Sequence, residues 1–216
     1  MRPGPKQSVH NMKKTLTLLS ALALLASGAL AADEAGFTPL FNGKDTAGWK
    51  LRNPNGNNCW KVDEGILKNT IAKGTHGVDL LTEQKFWNFT VRFEFMVPDG
   101  SNSGFYLRGR HEIQVLGDFK SGQKSKSCNG SLYNFKEPDE FVSKPGTEWQ
   151  SGEATIMGNT ISVTLNGKLI HDKVVCAQGT GGQVDNNVNQ PGPILLQGDH
   201  GTVWFRNLRI KELPKE

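Results

Sequence analysis

From Phe37 onward the apolar residues recur with a period of two rather than 3.6. Thr90-Val91-Arg92-Phe93-Glu94-Phe95-Met96 alternates strictly, and so does Thr160-Ile161-Ser162-Val163-Thr164-Leu165. Such alternation predicts half-buried β-strands, because successive side chains of a strand point to opposite faces. Turn dipeptides separate the runs: Asn42-Gly43, Asn55-Gly56, Glu64-Gly65, Asp99-Gly100, Asn129-Gly130 and Asn166-Gly167. Leu165-Asn166-Gly167-Lys168 predicts a two-residue hairpin, since Asn and Gly tolerate the positive φ of a type I′ turn. Many short strands joined by close turns, with no long amphipathic stretch, imply an all-β sandwich or barrel.

The segment from Asn102 to Leu116 is the most informative. A two-residue loop at Gly109-Arg110 would pair Leu107 with Glu112 and mix apolar and polar side chains on each face. A three-residue loop from Gly109 to His111 pairs Arg108 with Glu112 and Tyr106 with Gln114. It also gathers Phe105, Leu107, Ile113 and Val115 on the other face, and register follows the buried face. One face of this hairpin is then core, and the other carries Tyr106, Arg108, Glu112 and Gln114. A solvated outer face with an Arg–Glu cross-strand pair would look the same and contribute only ~0.2–1 kcal/mol. A polar, aromatic-lined sheet face is also how curved sandwiches bind sugars.

The C-terminal run holds a second polar cluster. The apolar phase set by Val203 and Phe205 does not continue to Leu208 and Ile210. A bulge near Arg206-Asn207 restores it. His200 lies in a glycine-flanked turn beside Asp199, close in sequence to Gln197 and Arg206.

Composition narrows the function. Of 216 residues, 25 are Lys or Arg and 21 are Asp or Glu, for a net charge of +4. That excess sits in residues 1–31, which contain Arg2, Lys6, Lys13 and Lys14 and no acid. The remainder is neutral, with no bulk electrostatic reason to seek nucleic acid or anionic lipid. Lys13-Lys14, the apolar run Leu16 to Leu30 and Ala29-Leu30-Ala31 form the three parts of a secretory signal. The run is interrupted by Ser20, Ser27 and Gly28, and it is shorter than the ~20 residues a membrane span needs. Residues 1–31 therefore read as leader and cleaved signal, and 32–216 as one exported domain, periplasmic or extracellular, without a membrane span. Cys59, Cys128 and Cys176 are odd in number and lack metal-ligand spacing, so they read as buried or incidental. His10, His76, His111 and His171 show no zinc spacing. No cofactor is expected; scattered oxygen ligands for a divalent metal such as calcium stay open. Serine-hydrolase, phosphate-loop and dinucleotide motifs are missing.

In order along the chain stand Phe37-Thr38-Pro39-Leu40-Phe41-Asn42-Gly43-Lys44-Asp45 with Gly48-Trp49, and Trp60-Lys61-Val62-Asp63-Glu64-Gly65 with Asp79-Leu80-Leu81-Thr82 and Phe89. Asn102-Ser103-Gly104 through Gln114 and Leu116 follow, then Gly130-Ser131-Leu132-Tyr133, Lys144-Pro145-Gly146 with Glu148-Trp149, and Leu196-Gln197 through Arg206-Asn207. Over residues 37–213 this set resembles the 3-keto-disaccharide hydrolase domain family. The resemblance implies a jelly-roll β-sandwich of the concanavalin A-like lectin/glucanase type, and a 3-keto-glycoside as the carbohydrate substrate. Trp149-Gln150-Ser151 departs from the Trp-Asn usual in the family, and Lys120 to Cys128 is a Lys/Ser-rich stretch before Tyr133.

A carbonyl at C3 of a sugar acidifies the C2 proton, so a base can trigger elimination of the C1 substituent. Addition of water then completes a net hydrolysis. This route needs a base, a donor for the enolate oxygen and an acid for the leaving oxygen, but not the two opposed carboxylates of ordinary glycosidases. Glucanases of this fold carry acids at alternating strand positions, whereas here Glu112 is followed by Gln114 and Leu116. Glu112 and His200 are the expected catalytic pair, and either could be the base. Arg108 opposite Glu112 is expected to lower its pKa and keep it ionised. Arg108, Gln114, Tyr133 and Lys144 are expected to line the same cleft, together with Trp149, Gln197 and Arg206. Glu94, in the non-core phase of its strand, and Asp118, after the Gln114 strand, are secondary members of it. The rival reading is a non-catalytic, lectin-like carbohydrate-binding module using that face.

Overall fold

The computed structural model describes residues 35–72 and 74–215, together with positions 1 and 4. The expected secretory signal, Lys13 to Ala31, lies outside the described residues. Two compact units divide the chain, Met1–Gly36 and Phe37–Glu216, and every described strand belongs to the second. In chain order these are β1 (Thr38–Pro39), β2 (Trp49–Leu51), β3 (Trp60–Asp63), β4 (Ile66–Asn69), β5 (Leu80–Thr82), β6 (Phe89–Met96) and β7 (Asn102–Leu107). They continue with β8 (His111–Leu116), β9 (Gln150–Met157), β10 (Thr160–Leu165), β11 (Lys168–Val175), β12 (Leu195–Leu196) and β13 (Val203–Glu212). One eight-stranded sheet runs β11-β10-β9-β6-β13-β4-β3, with β1 added beside β13, and a five-stranded sheet runs β2-β5-β12-β7-β8. The strand pairs are antiparallel, and the two sheets pack face to face as the expected jelly-roll sandwich.

Alternation builds the core. Phe89, Val91, Phe93 and Phe95 of β6 point inward and are fully buried, while Thr90, Arg92, Glu94 and Met96 point out. They meet Phe105, Leu107, Ile113 and Val115 from β7 and β8. The Phe93 and Phe105 rings stack across the gap at 3.9 Å between centroids and 5° between planes. Burying each such side chain stabilises the fold by ~1.5–3 kcal/mol. Gly152 pairs with Phe93 in the neighbouring strand, and a Cβ there would run into the Phe93 ring. The absent side chain is what lets the ring lie flat.

Two local expectations hold for the stated reasons. Asn166 and Gly167 have φ of 51° and 79°, and Leu165 pairs with Lys168 across them. The bulge at Arg206-Asn207 is present: β13 pairs Arg206 with Glu94 and then Arg209 with Arg92, and Asn207 has φ 53°. Leu208 and Ile210 thereby return to the core.

The central hairpin keeps its predicted faces but not its predicted register. Leu107 pairs with His111, Tyr106 with Glu112 and Gly104 with Gln114. Arg108 therefore does not stand opposite Glu112. It begins the loop Arg108-Gly109-Arg110, with φ of 54° at Arg108 and 63° at Gly109. The cause is tertiary. The Arg108 side chain is fully buried and donates to three backbone carbonyls, those of Trp87 (2.7 Å), Val188 (3.2 Å) and Gly158 (2.6 Å). Its guanidinium also lies 3.6 Å from the centroid of the Trp87 ring. An arginine so enclosed fixes the chain reversal rather than the polar face.

Candidate active site

Residues directly opposite one another in an antiparallel sheet share a face. The register of the five-stranded sheet thus lines up Lys50, Leu81, Leu195, Tyr106 and Glu112 in one row on its outer face. A second row lies two residues further on. There the Arg52 amide bonds the Asp79 carbonyl, the Gln197 amide bonds the Gly104 carbonyl, and Gly104 pairs with Gln114. Apolar side chains anchor the first row, since Tyr106, Leu81 and Leu195 form a small cluster separate from the main core. The second row brings mostly polar ones.

Glu112 stands at the centre. Its Oε2 accepts the Tyr106 hydroxyl at 2.7 Å. The Gln114 carboxamide, oriented so that both its ends are satisfied, donates to Glu112 Oε1 at 3.1 Å. Gly104 lies beneath this group, and a Cβ there would strike the carboxylate. Burial is the dominant influence and pushes the Glu112 pKa up to about 7, against lowering by the Tyr106 hydrogen bond and by His200. This reverses the expectation that Arg108 holds Glu112 ionised, because Arg108 lies elsewhere and the carboxyl is desolvated. Tyr106 is pushed well above the ordinary phenol range, first by burial and then by the Glu112 charge, so it stays a donor.

Loops close over this face. Thr180 Oγ1 accepts the Glu112 amide at 2.8 Å, and the Tyr133 amide donates to the Glu112 carbonyl at 3.1 Å. Gly182 passes so close to the Tyr106 hydroxyl that a side chain there would come within 2.6 Å of it. Gln197 Nε2 lies 3.5 Å from the same hydroxyl, and Gln197 Oε1 is buried without a partner. His200, half exposed, is hydrogen-bonded through Nδ1 to Asp199 Oδ1. Among the described residues, no three His, Cys, Asp or Glu side chains cluster to hold a metal.

Apart from Arg108, enclosed at the hairpin loop, the expected site residues thus fall into three groups. Glu112, Gln114, Gln197, Tyr133 and His200 gather at the outer face of the five-stranded sheet. Glu94, Arg206 and Trp149 form a separate group on the outer face of the eight-stranded sheet. There Arg206 Nε bonds Glu94 Oε2 at 2.8 Å, and the guanidinium lies 4.0 Å from the centroid of Trp149. Lys144 goes with them, donating to the Trp149 carbonyl at 3.4 Å. A single cleft holding both groups is therefore not formed. Asp118 serves a loop network, accepting the Asn129 amide at 2.9 Å and the Ser143 hydroxyl at 3.0 Å. Tyr106, Arg52, Asp79 and Thr180 were not among the expected site residues. The alternation of Asp79 with Leu81, and the position of Tyr106 on the polar face, were the available signals.

The fold and this face define a jelly-roll protein of the class that handles carbohydrates. The chain belongs to the 3-keto-alpha-glucoside-1,2-lyase-like domain family, whose pattern it matches over residues 36–211, and it is an enzyme of that family. A 3-keto-disaccharide hydrolase of Bacteroides thetaiotaomicron is 27% identical, the match covering 96% of this chain and 89% of the relative. A crystal structure of a candidate glycosyl hydrolase from Parabacteroides distasonis superposes with a TM-score of 0.65 at 26% identity, covering 83% of this chain and 84% of that one. A Bacillus licheniformis β-glucanase shares the fold alone, with a TM-score of 0.50 at 14% identity over 82% of this chain and 97% of that one.

Proposed function

We propose that this enzyme cleaves 3-keto-glycosides by elimination followed by hydration. The observation that carries the reading is the buried carboxyl of Glu112, poised near neutrality, where the strand alternation next supplies Gln114 and not a second acid. A retaining or inverting glycosidase needs two carboxyl groups across the scissile bond. One carboxylate of pKa about 7 is instead suited to removing and returning a proton at neutral pH. Glu112 takes the C2 proton of the oxidised sugar. The electrons of that bond form the C1–C2 double bond, the C1–O bond breaks, and the leaving oxygen takes a proton from His200, which Asp199 orients. Gln197 is the available donor toward the C3 oxygen. Water then adds its oxygen at C1 and gives a proton back to His200, and Glu112 returns its proton to C2, leaving the 3-keto sugar.

Purified protein incubated with a 3-keto-glycoside should release the aglycone and leave the parent glycoside, unoxidised at C3, intact. Release from neither, or from both at equal rates, would reject the reading. The same reading places the enzyme outside the cytoplasm, on the strength of Lys13-Lys14, the apolar run and Ala29-Leu30-Ala31. Protein recovered from an exporting host should begin at Ala32, and an intact leader would contradict export.

A further inference from the structure

Beside the Glu112 cluster lies a hole of about 270 Å³ lined by Arg52, Asn53, Gly77, Val78, Asp79 and Asp199. We infer that this hole is the subsite for the leaving group, and that it takes one uncharged, hydroxyl-rich ring and discriminates against anionic ones. The inference rests on the function proposed above and adds the residues and the charge selectivity that it lacks.

Size is the first argument. Drug-sized ligands occupy pockets of ~300–1,000 Å³, so this hole suits a single ring rather than an oligosaccharide. Chemistry is the second. Asp79 is buried and holds its carboxylate in place with the Gly198 amide on Oδ1 (3.0 Å) and Arg52 on Oδ2 (3.1 Å). Arg52 is itself held, donating to the carbonyls of Gly182 (2.7 Å) and Gln183 (2.9 Å). Asn53 turns its Oδ1 to the Asn55 amide, which leaves its amide nitrogen for a ligand. Acceptors on Asp79 and Asp199 thus share the hole with donors on Arg52 and Asn53, of which Asp79 and Arg52 are held by their hydrogen bonds. A sugar hydroxyl both donates and accepts, so adjacent hydroxyls match such an alternation. Charge is the third argument. Two carboxylates share the hole with one guanidinium that is already paired, and an anionic ring would meet net repulsion.

Position is the fourth. Asp199 is hydrogen-bonded to His200, the proposed donor to the leaving oxygen, and the Gly198 amide ties Asp79 to the segment that follows β12 and bears Gln197. Gly77 is packed onto the Gly198 carbonyl so tightly that no side chain fits there. His200 itself borders the neighbouring hollow with Ser101, Gly201 and Thr202, so a ring joined through that oxygen to the sugar over Glu112 meets the hole at its Asp199 side.

The test compares three substrates: a neutral 3-keto-disaccharide, its counterpart with a uronic acid as leaving ring, and a methyl 3-keto-glucoside. Wild type should show a kcat/KM at least tenfold higher for the neutral disaccharide than for the uronide. Arg52→Ala and Asn53→Ala should each shrink the preference for the disaccharide over the methyl glycoside at least fivefold, chiefly through KM, with thermal unfolding checked in parallel. Equal cleavage of neutral and acidic disaccharides, or an unchanged preference in both variants, would overturn the subsite. Should the wild type cleave none of the three, the proposed reaction fails. Calorimetric binding of the unoxidised disaccharide and of glucose to the same proteins then decides the subsite alone. At least fivefold weaker disaccharide binding by both variants supports it, and unchanged binding overturns it.

Discussion

A carboxyl whose pKa rises on folding costs the folded state free energy once it ionises, and Glu112 is such a group. Its ordinary value is 4.5 and its folded value about 7. Below about pH 4.5 it is protonated in both states and contributes no penalty. The penalty grows between about pH 4.5, where the unfolded chain ionises, and about pH 7, and levels off above that on the order of 3 kcal/mol. Glu112→Gln removes this dependence. The variant should gain thermal stability relative to wild type between pH 5 and pH 8, and a stability gap that stays constant over that range would show that Glu112 titrates normally. Turnover of a 3-keto-glycoside by the same variant should fall by roughly 10²-fold or more, the scale of a lost acid–base group. Tyr106 acts through Glu112 as a positioning residue. Its hydrogen bond lowers the carboxyl's proton affinity, so Tyr106→Phe should move the acidic limb of the pH–rate profile to higher pH. A profile that loses height without shifting would mean that Tyr106 only fills space.

Strand alternation was legible where each residue has one buried and one open side. Phe93 and Phe95, or Ile161 and Val163, announce their face directly. Parity likewise assigned Tyr106, Glu112 and Gln114 to one face, but register was not available from the same pattern. Moving the partner of Tyr106 from Gln114 to Glu112 is a slip of two residues, and a two-residue slip preserves every face. The choice is made by Arg108, whose enclosure by the carbonyls of Trp87, Val188 and Gly158 involves segments that no local pattern connects to it. Arg108→Ala should therefore destabilise the domain by about 3 kcal/mol or more, because it strands buried acceptors. Arg108→Lys should rescue little of this, since an ammonium cannot span three carbonyls and stack on Trp87. Denaturant unfolding measures both, and near-wild-type stability of either variant would contradict the role assigned to the loop.

The sandwich has two outer faces, and a period of two cannot say which one a given strand supplies. Glu94 and Arg206 show the same alternation as Glu112 and Gln114, yet they belong to the eight-stranded sheet. Only sheet topology separates the two groups, and it depends on the pairing of β12 with β5 and β7, strands distant in sequence. The Glu112 side gathers buried polar groups, loops and the Asp79 hole, and the central claim is that a C2 proton is removed there. A 3-keto-glycoside carrying deuterium at C2, turned over in ordinary water with spontaneous exchange subtracted by an enzyme-free control, tests that claim most directly. The account predicts slower cleavage than of the unlabelled substrate and a sugar product that has lost its C2 deuterium. Equal rates with the label retained in the product would contradict it.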